Sequence, residues 1–223
     1  TTRLATFSAL HDRNFRWYWL GMLASSSTMQ MGRVGQGWLV YEIAGSALAL
    51  GWVSAGWSLS NSVLSPWAGV LSDRAEKRTL ILWVRGMMAL SSLAIAALIA
   101  TDVIQVWHLV TYSLFRGVLF AVLMPAQNAY LAELVDRKTL LNAVSLNSVG
   151  MGLSGIFAAS LAGFMIDTIG AEAVYVSIAA LYIVVLVTTL KLPTTGATES
   201  DSPSVWSDIV DGATYIRLCP ALI

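Results

Sequence analysis

The sequence predicts an all-α membrane protein, a six-transmembrane-helix bundle made of two inverted three-helix repeats. Three observations predict it: the composition, the length of the apolar runs, and the placement of the charges. Of 223 residues, 57% are apolar and 12% charged, against roughly 45–50% and about 25% in ordinary soluble domains. A soluble globule of this size is excluded. The 13 Lys and Arg balance 13 Asp and Glu, which leaves no basic surface to neutralise phosphates and excludes nucleic acid as a partner. The single Cys219 offers neither an intrachain disulfide nor a thiol cluster for zinc, so no metal and no cofactor are expected.

Six apolar runs cover residues 17–41, 47–71, 79–100, 107–131, 142–166 and 173–190. Each is close to the ~20 residues with which an α-helix crosses about 30 Å of hydrocarbon. Barrel strands would show segments of about ten residues with alternating polarity, which these lack. The first run is too long for a signal-peptide core and carries Arg33, so it reads as a retained span. Turns are expected at 44–46, 73–78, 101–106, 133–140 and 167–172. Trp17, Trp19, Trp38, Trp52, Trp67, Trp83 and Trp107 fall near span ends, where amphipathic rings favour the headgroup layer.

Cations near span ends stay on the cytoplasmic side. Arg3, Arg13 and Arg16 precede the first run, Arg74, Lys77 and Arg78 join the second to the third, Arg137 and Lys138 join the fourth to the fifth, and Lys191 follows the sixth. The other connections carry Glu42, Asp102, Asp167 and Glu172, and neither Lys nor Arg. Both ends of the six-span unit are therefore expected in the cytoplasm, in a cell (plasma or inner) membrane.

The six-span bundle is assigned to residues 1–192. Residues 193–204 are polar and read as a cytoplasmic linker. In 205–218, Val205, Trp206, Ile209, Val210, Ala213 and Ile216 recur at helical spacing, which predicts an amphipathic interface helix. Residues 219–223 read as the start of a truncated seventh span. An internal repeat links Gly69-Val-Leu-Ser-Asp73 to Gly163-Phe-Met-Ile-Asp167. One copy is expected inside and the other outside, the pattern of two units of opposite topology.

The segment Gly69-Val-Leu-Ser-Asp73-Arg74-Ala-Glu-Lys77-Arg78-Thr-Leu-Ile81 resembles the loop signature between the second and third spans of the major facilitator superfamily. Glu76 stands where the family usually has a second Gly. Asn14–Gly21, Trp38–Gly51, Pro125–Ala129, Glu133–Val135 and Asp211–Arg217 resemble its drug-and-metabolite efflux branch, which contains macrolide and siderophore exporters. Two positions depart from the family pattern: its fourth-span Arg would fall at Ser113, and its fifth-span Gly-Pro at Ala158-Ala159. The resemblance implies the N-terminal half of the major facilitator fold and secondary active efflux of an amphipathic small molecule by alternating access, with proton coupling. It also implies a missing C-terminal six-helix half as partner. The loop residues Gly69, Asp73, Arg74, Lys77 and Arg78 would latch one bundle against the other. Arg85 would join that network or snorkel to the interface.

Arg33 and Arg116 lie inside spans, where a cation costs about 2.5–3.5 kcal/mol even on the lenient insertion scale. At ~1.5 Å per residue both fall roughly 5–6 Å to the external side of the midplane. Since the first and fourth spans line the cavity of the resembled fold, both are candidate substrate-binding residues; the other reading is hydrogen bonding to backbone carbonyls in support of packing. Gln30 and Asn61 are further cavity candidates, or interhelical glue. Gly150, Ser154, Ala158, Ala162 and Gly163 form a small-residue stripe expected to pack helices closely. Gly152-Leu-Ser154-Gly155 fits the nucleophile motif of rhomboid proteases, but His11 and His108 both precede it, whereas the rhomboid base follows. No enzyme is expected. The competing class is a non-transporting six-span membrane protein, such as a partner subunit or a decayed half-transporter.

Overall fold

The computed structural model describes residues 12–134 and 140–194, with side chains described except at 66, 68–74 and 140. Six helices account for nearly all of it: α1 Arg13–Ala44, α2 Ala47–Arg74, α3 Lys77–Ala100, α4 Val106–Leu134, α5 Leu140–Thr168 and α6 Ala171–Leu190. Each contains one expected run, usually with a turn added at either end. The expected linker beyond residue 194, the interface helix, the seventh-span start, Arg137 and Lys138 lie outside the described residues.

Local chemistry sets the boundaries. The Asp12 carboxylate accepts from the amides of Asn14 and Phe15 at 2.6 and 2.9 Å and starts α1. Gly45, at φ 57°, ends α1 by returning its amide to the Tyr41 carbonyl. The connection expected over 73–78 shrinks to Ala75 and Glu76. Its cause is Glu76 itself, whose carboxylate accepts from the amides of Arg78 and Thr79 at 3.1 and 2.7 Å and caps α3.

The alternating helices give the bundle two ends. One, the basic end, carries Arg13, Arg16, Lys77, Arg78 and Lys191. The other, the acidic end, carries Glu42, Asp102, Asp167 and Glu172. The principal packing pairs are α2 with α4, α3 with α6, and α1 with both α5 and α6. Exchanging the first three helices for the last three carries α1–α5 onto α4–α2, carries α1–α6 onto α4–α3, and returns α3–α6 to itself. The packing therefore has the symmetry of two three-helix units, and alternate helix directions invert one relative to the other.

Helices α3, α4, the stretch Leu141–Thr168 of α5, and α6 are long and apolar enough to cross a membrane. Large apolar side chains cover their outward faces, among them Leu90, Phe157, Phe164 and Ile183. α1 and α2 are as long but less apolar, because α1 carries Arg33 and Gln36 and α2 carries Ser54 and Ser58 along a shared cavity, with Gln30 beside Arg33. Their polarity reflects what they face within the bundle rather than an inability to span.

The small-residue stripe of α5 packs in part. A Cβ on Gly150 would meet Leu23 at 2.8 Å and the Trp19 ring at 3.0 Å, and Ala158 and Ala162 are buried. Ser154 is half-buried and donates to the Met151 carbonyl at 3.2 Å. Gly163 departs from the expected packing role: it is exposed, and a Cβ there would meet nothing within 4 Å. The four-residue row runs through Gly150, Ser154, Ala158 and Ala162, whereas Gly163 follows Ala162 by one residue, about 100° further round the helix, and faces outward. A close approach of one helix to another's backbone lies elsewhere. A Cβ on Gly117 of α4 would lie 2.7 Å from the Trp57 carbonyl oxygen and 2.8 Å from Ser60 Cβ of α2, while Ser113 donates to the Val53 carbonyl at 2.6 Å.

Candidate functional site

Between α1, α2 and α4, with Met88 of α3 and Tyr182 of α6 at its floor, lies a cavity of about 300 Å³. That is the lower end of the range for small-molecule sites. Arg33 and Arg116 both line it, as do Gln36, Ser54, Trp57, Ser113 and Phe120. The helix register sets the two cations at similar distances from one end of the bundle. Arg33 stands 11 residues before the end of α1 and Arg116 ten after the start of α4, each about 15–17 Å from the acidic end.

The two arginines are held differently. The guanidinium of Arg116 lies over the Tyr112 ring at 5.4 Å from its centroid and has Tyr182 and Tyr175 as further neighbours. Gly32 makes the room, since a Cβ there would stand 2.7 Å from Arg116 Nη1. The tyrosines are themselves fixed: Tyr112 shares a 3.2 Å hydrogen bond with Ser92 and packs edge-on to Tyr175 at 5.9 Å, and Tyr182 donates to Met88 Sδ at 3.4 Å. Arg33 is exposed toward the cavity and donates from Nη1 to Gln30 Oε1 at 3.0 Å. Gln30 does not line the cavity but orients a residue that does, and its own side chain packs on Gly155. Asn61 is half-buried and outside the cavity lining. Among the described residues, no acidic side chain lines this space.

Sequence reasoning missed the tyrosines and the apolar wall made by Trp57 and Phe120, whose rings stand 5.7 Å apart. A signal was present: Tyr112 precedes Arg116 by one helical turn, and Tyr175 and Tyr182 lie two turns apart on one face of α6. Ser113, where the resembled family carries Arg, ties α4 to the α2 backbone, and Arg116 lies three residues later, on the cavity.

At the basic end, Lys77 is buried and pairs with Glu133 of α4 at 2.6 Å. Arg78 donates from Nε to the Thr189 carbonyl at 3.2 Å and from Nη2 to the Leu190 carbonyl at 2.6 Å. A cation thus completes the last turn of α6. Gly69, Asp73 and Arg74 lie in the last turns of α2, with their side chains outside the described set. Arg85 is fully enclosed, 2% exposed, beside a space of about 20 Å³ bounded by Tyr18, Gln127, Tyr130 and Thr188. It neither snorkels nor reaches the loop; α3 carries it inward, between α1, α4 and α6. The Ser154 hydroxyl is committed to the α5 backbone, and His108 Nδ1 accepts from the Gln105 amide at the acidic end.

A family model described as transmembrane secretion effector matches residues 4–220. The Staphyloferrin A transporter of Staphylococcus aureus (strain NCTC 8325 / PS 47) is 24% identical over 163 residues, 73% of this chain and 41% of its own length. The uncharacterized MFS-type transporter YfiS of Bacillus subtilis (strain 168) is 23% identical over 190 residues, 82% of this chain and 44% of its own. The chain spans less than half the length of these curated relatives.

Proposed function

The chain belongs to the transmembrane secretion effector family of the major facilitator superfamily, and from that membership we propose that it forms the N-terminal half of a secondary active exporter. The observation that carries this reading is the cavity of about 300 Å³ with two intramembrane arginines at similar distances from one end of the bundle. Charge at that depth is retained against a cost of a few kcal/mol where it lines a solute path. The protein is an integral membrane protein. Its place in the cell membrane, with both ends of the six-helix unit cytoplasmic, is part of the proposal and rests on the segregation of Lys and Arg to one end.

In this reading an amphipathic small molecule enters the cavity, a second six-helix bundle closes it from the other side, and the two bundles rock to expose it to either face in turn. The junction of α2 and α3 is suited to bias that equilibrium. Lys77 ties it to the end of α4 and Arg78 ties it to the end of α6, so a partner that competes for these contacts in one state shifts the balance between states. Gly69, Asp73 and Arg74 complete this proposed latch, and protons are the proposed coupling ion. Because no acidic side chain lines the cavity among the described residues, the proton is carried by a group elsewhere in the whole transporter.

The test is export by the full-length protein in everted membrane vesicles, with the proton gradient collapsed as control. Accumulation that disappears on collapse is the expected result. Equal accumulation after collapse removes proton coupling, and no accumulation of any amphipathic compound removes the export reading.

A further inference from the structure

We infer that the substrate is an amphipathic organic anion, with an oxyanion head held between Arg116 and Arg33 and an apolar body against Trp57 and Phe120. This rests on the export reading and adds to it the chemical class of the cargo.

The charge balance of the cavity leads to it. Two guanidinium groups line a single space of about 300 Å³, and the groups set against them are neutral: the Tyr112 ring, with Tyr182 nearby, for Arg116, and Gln30 for Arg33. A charge held within a membrane span is stabilised by pairing with its opposite, and hydroxyls and amides satisfy its N–H groups without cancelling its charge. Two like charges beside one cavity repel each other across it, and an anion placed between them relieves both penalties at once. Arginine suits this task because its planar fork matches an oxyanion in two parallel hydrogen bonds.

The two arginines divide the work. Arg116 is immobilised by the Tyr112 ring beneath it, the Tyr182 hydroxyl beside it, and the absence of a side chain at Gly32. It provides a fixed half-site whose ordering cost is met before binding. Arg33, exposed and tethered to Gln30 one turn away, can swing to close on the anion. Trp57 and Phe120, on α2 and α4, present the apolar wall on which the remainder of the molecule lies. Gln36, Ser54 and Ser113 also line the space, but Gln36 donates to the Leu109 carbonyl and Ser113 to the Val53 carbonyl, so the arginines are the main free donors.

Three probes of one shape separate the possibilities: naphthalene-2-carboxylate, naphthalene-2-carboxamide and the naphthalen-2-ylmethyl ammonium ion. Binding to the purified full-length protein is read by calorimetry, and transport by export from proteoliposomes. The carboxylate is expected to bind at least about tenfold more tightly than the amide, and the ammonium ion not measurably. Arg116→Gln brings carboxylate and amide to the same affinity, with naphthalene binding itself retained. Gly32→Ala keeps the charge but displaces the guanidinium, and is expected to lose most of the same preference. Arg33→Gln weakens the preference less.

Equal affinity for carboxylate and amide in the unmodified protein overturns the inference, since it means that a carboxylate elsewhere already neutralises the pair. An unchanged preference in Arg116→Gln overturns the assignment of the head group. Preferential carboxylate binding without export leaves the inference standing and removes the export reading. Export of amide and carboxylate alike does the reverse.

Discussion

Arg116 and Arg85 sit in the interior of neighbouring helices, each among tyrosines, and their surroundings differ in one respect that decides what each can do. Arg116 opens on a cavity of about 300 Å³. Arg85 is enclosed beside about 20 Å³, room for a single water. Its Nε and Nη1 find no hydrogen-bond partner among the described residues. The hydroxyls around it donate elsewhere: Tyr18 to the Gln127 carbonyl, Tyr130 to the Pro193 carbonyl, Thr188 and Thr189 to the Val185 carbonyl. Of the two cations, only Arg116 has space beside it for the proposed solute. Composition and helix register count both arginines alike; the packing of four helices separates them.

The contrast can be broken most severely at the wall that keeps the cavity open on one side and shut on the other. Gly117→Leu would drive a side chain into the α2 backbone at Trp57, which cannot yield as a flexible side chain could. Overpacking of this kind costs about 1–3 kcal/mol or more, and the expected result is a large fall in the thermal unfolding temperature of the purified protein. A second change sharpens the contrast without unfolding anything. Gly32→Ala presses on the guanidinium end of Arg116 rather than on backbone, so export of the carboxylate is expected to fall about tenfold (1.4 kcal/mol), with the unfolding temperature nearly unchanged.

Arg85→Met tests the enclosed side. Replacing a buried charge by an apolar residue of similar length is often neutral or stabilising, so the unfolding temperature is expected to hold or rise, and the acid-over-amide preference to persist. A drop of many degrees would show that Arg85 holds the helices together and that the two arginines are more alike than their cavities indicate. The smallest effect is expected at Gly163→Ala, where an added methyl meets nothing within 4 Å. Stability should stay within about 0.5 kcal/mol, in contrast to Gly150→Ala, which must displace Leu23 and Trp19.

The sequence by itself determined the six helices, because an apolar run of about 20 residues has no other hydrogen-bonded form in hydrocarbon. It also determined the sorting of basic and acidic connections to opposite ends, and the similar distance of Arg33 and Arg116 from one end of the bundle, which follows from the fixed rise per residue. What it could not determine is which way each face turns. Gly163 adjoins a stripe whose earlier members pack, yet it faces outward. Asn61 and Gln30 are equally polar, and neither lines the cavity, though Gln30 holds a residue that does. Glu76 replaces a glycine of the resembled loop and ends up as a helix cap. Arg85 and Arg116 are the same residue type in neighbouring spans, and only the crossing of α1, α3, α4 and α6 encloses one while α1, α2 and α4 leave the other open. Hydrophobicity and periodicity are local properties that a chain carries in its order; the volume left between helices is a property of all of them together.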